Sequence, residues 1–110
     1  MRVRCTANKV KWEGGGFTVR VKPIEAIHLG GQIVVVHDYM AYPRGEAAPN
    51  LVTYSLTGEQ IWVAENPGSS ATNAYVEFIS ESPLIVGNFA GINCTIDPFT
   101  GKILHARITK

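Results

Sequence analysis

The three histidines are the side chains best suited to acid–base or metal chemistry, and they lie far apart in the sequence. A zinc site needs ligands that converge tetrahedrally, and a closely spaced pair of ligands usually anchors it. No such pair is present among His28, His37 and His105, the only histidines of the chain. The sequence therefore predicts no metal site, and the three histidines are interpreted as core or surface residues.

The segment HDY, residues 37–39, places a potential general base beside a carboxylate. Neighbouring side chains on a strand point to opposite faces, so His37 and Asp38 cannot share a site unless a β-bulge intervenes. No nucleophile motif and no close carboxylate pair accompany them. Cys5 and Cys94 stand in apolar alternating stretches and are interpreted as reduced core residues. The sequence thus predicts no catalytic residue, no cofactor and a protein that is not an enzyme.

The elements that position these residues are strands, because apolar and polar residues alternate with a period of two and helical periodicity is scarce. In residues 9–22, two alternating runs are joined by Gly14–Gly16, which is typical of a β-hairpin. The apolar run QIVVVHDY, residues 32–39, is typical of a central strand buried on both faces. We expect about ten strands in all, with a helical turn tolerated only near residues 69–74.

Part of the sequence is repeated. The segments YSLTGEQIW (54–62) and IDPFTGKIL (96–104) each contain a Thr-Gly turn, and the two turns are 43 residues apart. The strands that precede them, in 33–39 and 84–90, are 51 residues apart, so the first unit carries a net insertion of 8 residues. Four antiparallel strands that recur at about 40 to 45 residues are typical of propeller blades.

The repeated turn has a physical reason. Asp97 can accept hydrogen bonds from the backbone N–H groups ahead of it, and Gly101 supplies the backbone freedom that the reversal needs. The sequence here resembles the quinoprotein-like (pyrroloquinoline-quinone type) β-propeller repeat. The residues that match the repeat are Ile96, Asp97, Thr100 and Gly101 in the second unit and Thr57, Gly58, Ile61 and Trp62 in the first. The resemblance implies blade-like meanders over roughly residues 24–110. It does not imply the quinone, because that family binds it with residues from many blades of a closed ring.

These patterns predict one all-β domain over residues 1–110, with two blade-like four-stranded antiparallel meanders and an N-terminal β-hairpin, as a partial propeller or a sandwich. The hairpin occupies 1–23, the first repeat unit 24–66 and the second 74–110. The chain has no apolar run near the roughly 20 residues that span a bilayer, so we expect a cytoplasmic protein without a membrane partner. Burial of residues 32–39 on both faces also favours a homo-oligomer, most simply a dimer.

Charge is distributed unevenly along the chain. Residues 1–22 carry six basic side chains against one acidic side chain, a net charge of +5, and the other residues carry a net charge of −4. The outward face of the hairpin could contact phosphates, but Trp12 and Phe17 alternate to its other face, whereas a nucleic-acid groove interleaves aromatic residues with the charges. A solvated hairpin face is therefore favoured over a nucleic-acid site.

The two longest loops, residues 40–50 and 66–73, fall at the same end of the meanders. Long loops on a rigid scaffold commonly carry binding residues, and the first loop contains Met40, Tyr42 and Arg44, residue types enriched in interfaces. We predict that this end, with Tyr42 and Arg44 exposed, binds another protein, as an inhibitor or immunity-type protein would. The alternatives are a nucleic-acid-binding module that uses the hairpin and an enzyme whose site forms between subunits.

Overall fold

The structure, a computed structural model, describes residues 2–109 and is all-β, as predicted. Eleven strands among these residues form three antiparallel sheets. The N-terminal sheet contains β1 (Arg4–Thr6), β2 (Lys9–Trp12) and β3 (Gly15–Thr18). The first meander contains β4 (Pro23–Leu29), β5 (Gln32–His37), β6 (Leu51–Ser55) and β7 (Gln60–Val63). The second meander contains β8 (Tyr75–Ser80), β9 (Ile85–Asn88), β10 (Ile92–Ile96) and β11 (Ile103–Ile108).

Both meanders have the predicted topology. Their strands are paired in chain order, β4-β5-β6-β7 in the first sheet and β8-β9-β10-β11 in the second. Short 3₁₀ turns lie at Tyr39–Ala41 and Ala71–Asn73, and the second falls within the range where a helical turn was tolerated. The predicted fold class is therefore confirmed. The two 3₁₀ turns lie in the two long connections between strands, β5 to β6 and β7 to β8.

The predicted N-terminal hairpin is present, but its turn is tighter than the three glycines suggest. Trp12 pairs directly with Gly15, so the reversal is made by Glu13 and Gly14, and Gly14 has φ = 91°. Gly15 and Gly16 belong to β3. A Cβ on Gly15 would lie 2.8 Å from the Trp12 ring, so this glycine leaves room for the indole. The prediction also missed β1, a strand of only three residues that pairs with β2.

The first meander is the middle layer of the molecule, and its strand β5 is covered on both faces. Val34 and Val36 belong to the core shared with the second meander, whereas Ile33 and Val35 belong to the core shared with the N-terminal sheet. All four side chains are completely buried. The run in residues 32–39 is thus buried on both faces within one chain. Burial of this strand therefore needs no second chain, and dimerisation stays a prediction.

The repeated Thr-Gly motif joins the two meanders. Trp62, at the end of the first motif, packs on Gly101 of the second, and its Nε1 donates a hydrogen bond to the Pro98 carbonyl at 3.0 Å. Gly101 has φ = 78°, and a Cβ there would lie 2.6 Å from the Trp62 ring. The glycine therefore meets two requirements at once, a left-handed backbone and close approach of the indole.

One hydroxyl group in the core has no protein partner. Thr53 pairs across the sheet with Val34 and Trp62, so its side chain lies on the face that packs against the second meander. Its Oγ1 is buried and has no hydrogen-bond partner among the described residues. A buried hydroxyl without a partner costs free energy because it gives up its hydrogen bonds to water.

We expect Thr53→Val to raise the free energy of unfolding by about 1 kcal/mol, because valine has nearly the same shape and no polar atom to desolvate. Urea denaturation at equilibrium measures the change. Thr95→Val, at a half-buried position on the outer face of the second meander, is the control and should change stability by less than about 0.5 kcal/mol. A loss of stability in Thr53→Val would mean that the hydroxyl is hydrogen-bonded in solution.

Candidate functional site

The two long loops lie against each other, as predicted. The Ala47 N–H donates to the Ser69 carbonyl at 3.0 Å, and Asn66 Nδ2 donates to the Ala48 carbonyl, also at 3.0 Å. Beside them is an open groove with a volume of about 300 Å³. We call it the loop groove; its lining includes Tyr39, Met40, Tyr42, Arg44, Glu46 and Phe89.

The lining of the loop groove is mainly apolar, and two of its large apolar side chains are exposed. Met40 is 64% exposed and Phe89 is 58% exposed. Phe89 is tilted against Tyr39, with 5.8 Å between the ring centroids. The 3₁₀ turn that presents Tyr39 and Met40 is capped by Asp38, whose Oδ1 accepts a hydrogen bond from the Met40 N–H at 2.9 Å. Asp38 thus has a structural role, and it positions one side of the groove.

All three predicted partner-binding residues line the loop groove, but they differ in exposure. Met40 and Arg44 are exposed, whereas Tyr42 is only half-buried and its pKa is raised by desolvation. The expectation that Tyr42 is an exposed position is therefore wrong, because its ring stands between the groove and a second cavity and lines both. Their role in binding stays a prediction.

Phe89 is an exposed groove residue that the sequence interpretation missed. It follows β9 directly and comes from the second meander, where no long loop marked it. The available signal was an aromatic residue placed just after the end of a strand, at the end of the meander that carries the long loops. Its partner Tyr39 is 50 residues away in the sequence, so their contact could not be inferred from spacing.

The second cavity lies between the N-terminal sheet and the first meander and has a volume of about 580 Å³. We call it the inter-sheet cleft; its lining includes Arg20, Val21, His37, Val52, Tyr54 and Val63. His37 Nδ1 lies 2.9 Å from the Val21 carbonyl and Nε2 lies 2.7 Å from the Tyr54 hydroxyl. A carbonyl can only accept, so Nδ1 carries a proton, and in the neutral imidazole Nε2 accepts from the Tyr54 hydroxyl.

Burial keeps this His–Tyr pair uncharged. Desolvation lowers the pKa of His37, and the backbone carbonyls of Val21 and Lys22 oppose that change. Desolvation also raises the pKa of Tyr54 to about 12, with a further increase from nearby Tyr42. At neutral pH the pair is therefore an imidazole and a phenol, each with its hydrogen bond satisfied. This is the arrangement of a satisfied core histidine, in line with the interpretation made from the sequence.

The other candidates for chemistry are dispersed. His28 lies on β4 and His105 on β11, and among residues 2–109 no group of three or more His, Cys, Asp or Glu side chains could hold a metal ion. Cys5 and Cys94 are free thiols, and burial raises the pKa of both. No helix in the described part of the chain is long and apolar enough to cross a membrane.

The predicted turn residues have structural contacts. Asp97 Oδ1 accepts a hydrogen bond from the Phe99 N–H at 2.8 Å, and Thr100 Oγ1 accepts from the Lys102 N–H at 3.2 Å. In the first unit Ser55 takes the place of the aspartate: its Oγ accepts from the N–H groups of Thr57 and Glu59, at 3.3 and 3.1 Å. Gly58 completes that turn with φ = 91°.

The N-terminal hairpin presents its two faces as the alternation indicates. Trp12 and Phe17 pack toward the first meander, and Phe17 contacts Tyr54 with 5.2 Å between ring centroids. Lys9 and Lys11 are exposed on the opposite face. The aromatic rings thus serve the core and are not interleaved with the basic residues.

Comparison with known proteins gives one match. The family model described as Domain of unknown function (DUF7957) matches residues 3–108. No curated protein matches the chain, and no solved structure matches it. The resemblance to quinoprotein-like propeller repeats consequently stays a prediction.

Proposed function

The chain belongs to the family described as Domain of unknown function (DUF7957), and we propose that it is a small non-enzymatic module that binds another protein through the loop groove. The observation that carries the proposal is the juxtaposition of the two long loops around an exposed apolar groove. The groove is built at one end of a rigid pair of sheets, where loops commonly supply binding residues.

The physical support comes from exposed apolar surface that a partner would bury. Met40 and Phe89 each leave more than half of the side chain in water, although apolar surface of this kind is stabilised by removal from water. Methionine also adapts its shape to different partners. The groove volume of about 300 Å³ is sufficient for an apolar side chain of the partner. We therefore assign Met40 and Phe89 as the central contacts.

The rim of the groove supplies the polar contacts. Arg44 and Glu46 are exposed and lie on the same loop as Met40. Charged groups at the rim of an interface orient the partner and contribute to specificity, while the apolar centre contributes most of the binding free energy. A small inhibitor or immunity-type protein would need this combination of a rigid scaffold and one projecting face.

Replacing Met40 and Phe89 together with alanine should weaken binding of the natural partner by about 2 kcal/mol or more, because central apolar contacts dominate interface energetics. The partner is first captured from native lysate on the wild-type chain and identified by mass, and its affinity is then measured by calorimetry. Stability should change little, since both side chains are exposed. Arg44→Ala should give a smaller loss that depends on salt concentration.

Phe99→Ala is the matched control, because Phe99 is 83% exposed and lies in the Asp97–Gly101 turn, at the opposite end of the meander. It should leave partner binding unchanged. Unchanged affinity in the Met40/Phe89 double variant would refute the proposal, and so would an equal loss in Phe99→Ala. Tyr42 is not used in this test because it also lines the inter-sheet cleft.

A further inference from the structure

The inter-sheet cleft is a cavity that the proposed protein-binding function does not use. The N-terminal sheet covers one face of the first meander, and an open cleft of about 580 Å³ remains where the end of β3 and the segment that follows it, residues 18–21, meet that meander. Sites for small molecules in proteins are commonly about 300 to 1,000 Å³. The cleft is therefore large enough to hold a small organic molecule.

The walls of the cleft are mainly apolar. Valine side chains come from the chain that links the two sheets, from β6 and from β7, at Val21, Val52 and Val63. The ring of Tyr54 adds an aromatic surface, and its hydroxyl is engaged with His37. These walls favour a ligand with an apolar body, because contact with it removes apolar surface of both molecules from water.

The charge of the cleft has one sign. Arg20 is the only lining residue with a formal charge, and no carboxylate is among the lining residues of this described part of the chain. Both ring nitrogens of His37 are hydrogen-bonded, and burial lowers the pKa of its imidazole, so His37 adds no charge at neutral pH. Gln60, Tyr42 and Thr18 add amide and hydroxyl groups that can donate hydrogen bonds. The cleft offers no counter-charge to a cationic ligand, whereas a ligand with one negative charge could pair with Arg20.

We propose that the inter-sheet cleft binds a small carboxylic acid with an apolar body. The guanidinium of Arg20 pairs with the carboxylate, a geometry that allows two parallel hydrogen bonds. The valines and Tyr54 contact the apolar body. A single cation suits a single negative charge, whereas a polyphosphate or a nucleic-acid backbone would require several.

The test uses octanoate as the probe and octanol as its neutral counterpart of equal length. Octanoate should raise the melting temperature of the chain, and its binding should shift the NMR signals of Val21, Val52 and Tyr54. Arg20→Gln should weaken octanoate binding by about tenfold, because a charge-assisted hydrogen bond is lost. Octanol binding should be the same in both proteins. Arg20 is exposed, so this variant is expected to fold normally.

Two further variants make the outcome decisive. Arg44→Gln, which removes the arginine of the loop groove, should leave octanoate binding unchanged. Val63→Trp should fill the cleft and abolish binding of both probes. Val63 is partly exposed, so the larger indole ring can be accommodated without disrupting the core. The proposal is overturned if octanoate does not bind at millimolar concentration, if Arg20→Gln binds it as tightly as the wild type, or if the shifted signals belong to the loop groove. These results are independent of the partner-binding test, which concerns the groove alone.

Discussion

Gly101→Val is expected to lower the free energy of unfolding by about 3 kcal/mol or more. Gly101 has φ = 78°, a backbone conformation that a β-branched residue adopts only at a cost. A Cβ at this position would also lie 2.6 Å from Trp62 Cε3 and 3.3 Å from the Ala64 Cα. The indole cannot move away without giving up its hydrogen bond to Pro98 and its place in the core between the meanders. Urea denaturation monitored by tryptophan fluorescence measures the loss.

Gly31→Val separates the two causes. Gly31 has φ = 80°, nearly the same as Gly101, but a Cβ there would have no atom within 4 Å. This variant should therefore show only the backbone cost, about 1 to 2 kcal/mol. The difference between the variants reports the contact with Trp62. Equal losses at the two positions would mean that the approach of the indole does not restrict Gly101.

Asn50→Ala is expected to destabilise the protein by about 3 kcal/mol or more, because it leaves buried backbone groups without partners. Asn50 is completely buried between the meanders. Its Nδ2 donates to the carbonyls of His37 and Tyr75, at 2.8 and 2.7 Å, and its Oδ1 accepts from the Tyr75 N–H at 3.0 Å. One side chain thus joins the end of β5 to the start of β8. Urea denaturation measures the effect.

Asn50→Asp tests the same three hydrogen bonds with almost no change in shape. A carboxylate cannot donate to the carbonyls of His37 and Tyr75, so the folded state disfavours the ionised form and raises the pKa of the new carboxyl above its unfolded value. The loss of stability should be largest above the folded-state pKa and should shrink as the pH falls toward the unfolded value. The measurement is unfolding free energy between pH 7 and pH 4.

Asn93→Asp is the control for this series, since Asn93 is only half-buried and lies on β10, away from the backbone groups that Asn50 bridges. It should show little change in stability and little added dependence on pH. If Asn50→Asp behaved like Asn93→Asp, the bridge between the meanders would not be formed in solution.

Local patterns in the sequence predicted the strands, the order of the two meanders and the end where the long loops meet. These features follow from residues close together in the chain, because alternation sets which side chain faces the core and turn residues set where the chain reverses. Asp97 and Gly101 illustrate this point. The hydrogen bond that Asp97 accepts from the Phe99 N–H and the positive φ of Gly101 depend on the turn itself. The loop residues Met40 and Arg44 could likewise be selected from the loop that carries them.

The tertiary structure alone decided which distant residues meet. Asn50 is a polar residue at the end of a long loop, a context typical of an exposed position, yet packing of the two meanders buries it completely. Phe89 contacts Tyr39 only because packing of the two meanders brings together the residues that follow β5 and β9. The inter-sheet cleft exists because the N-terminal sheet covers a face of the first meander without closing on it. Such contacts depend on how whole sheets pack, and a period of two carries no information about which sheet will cover which face.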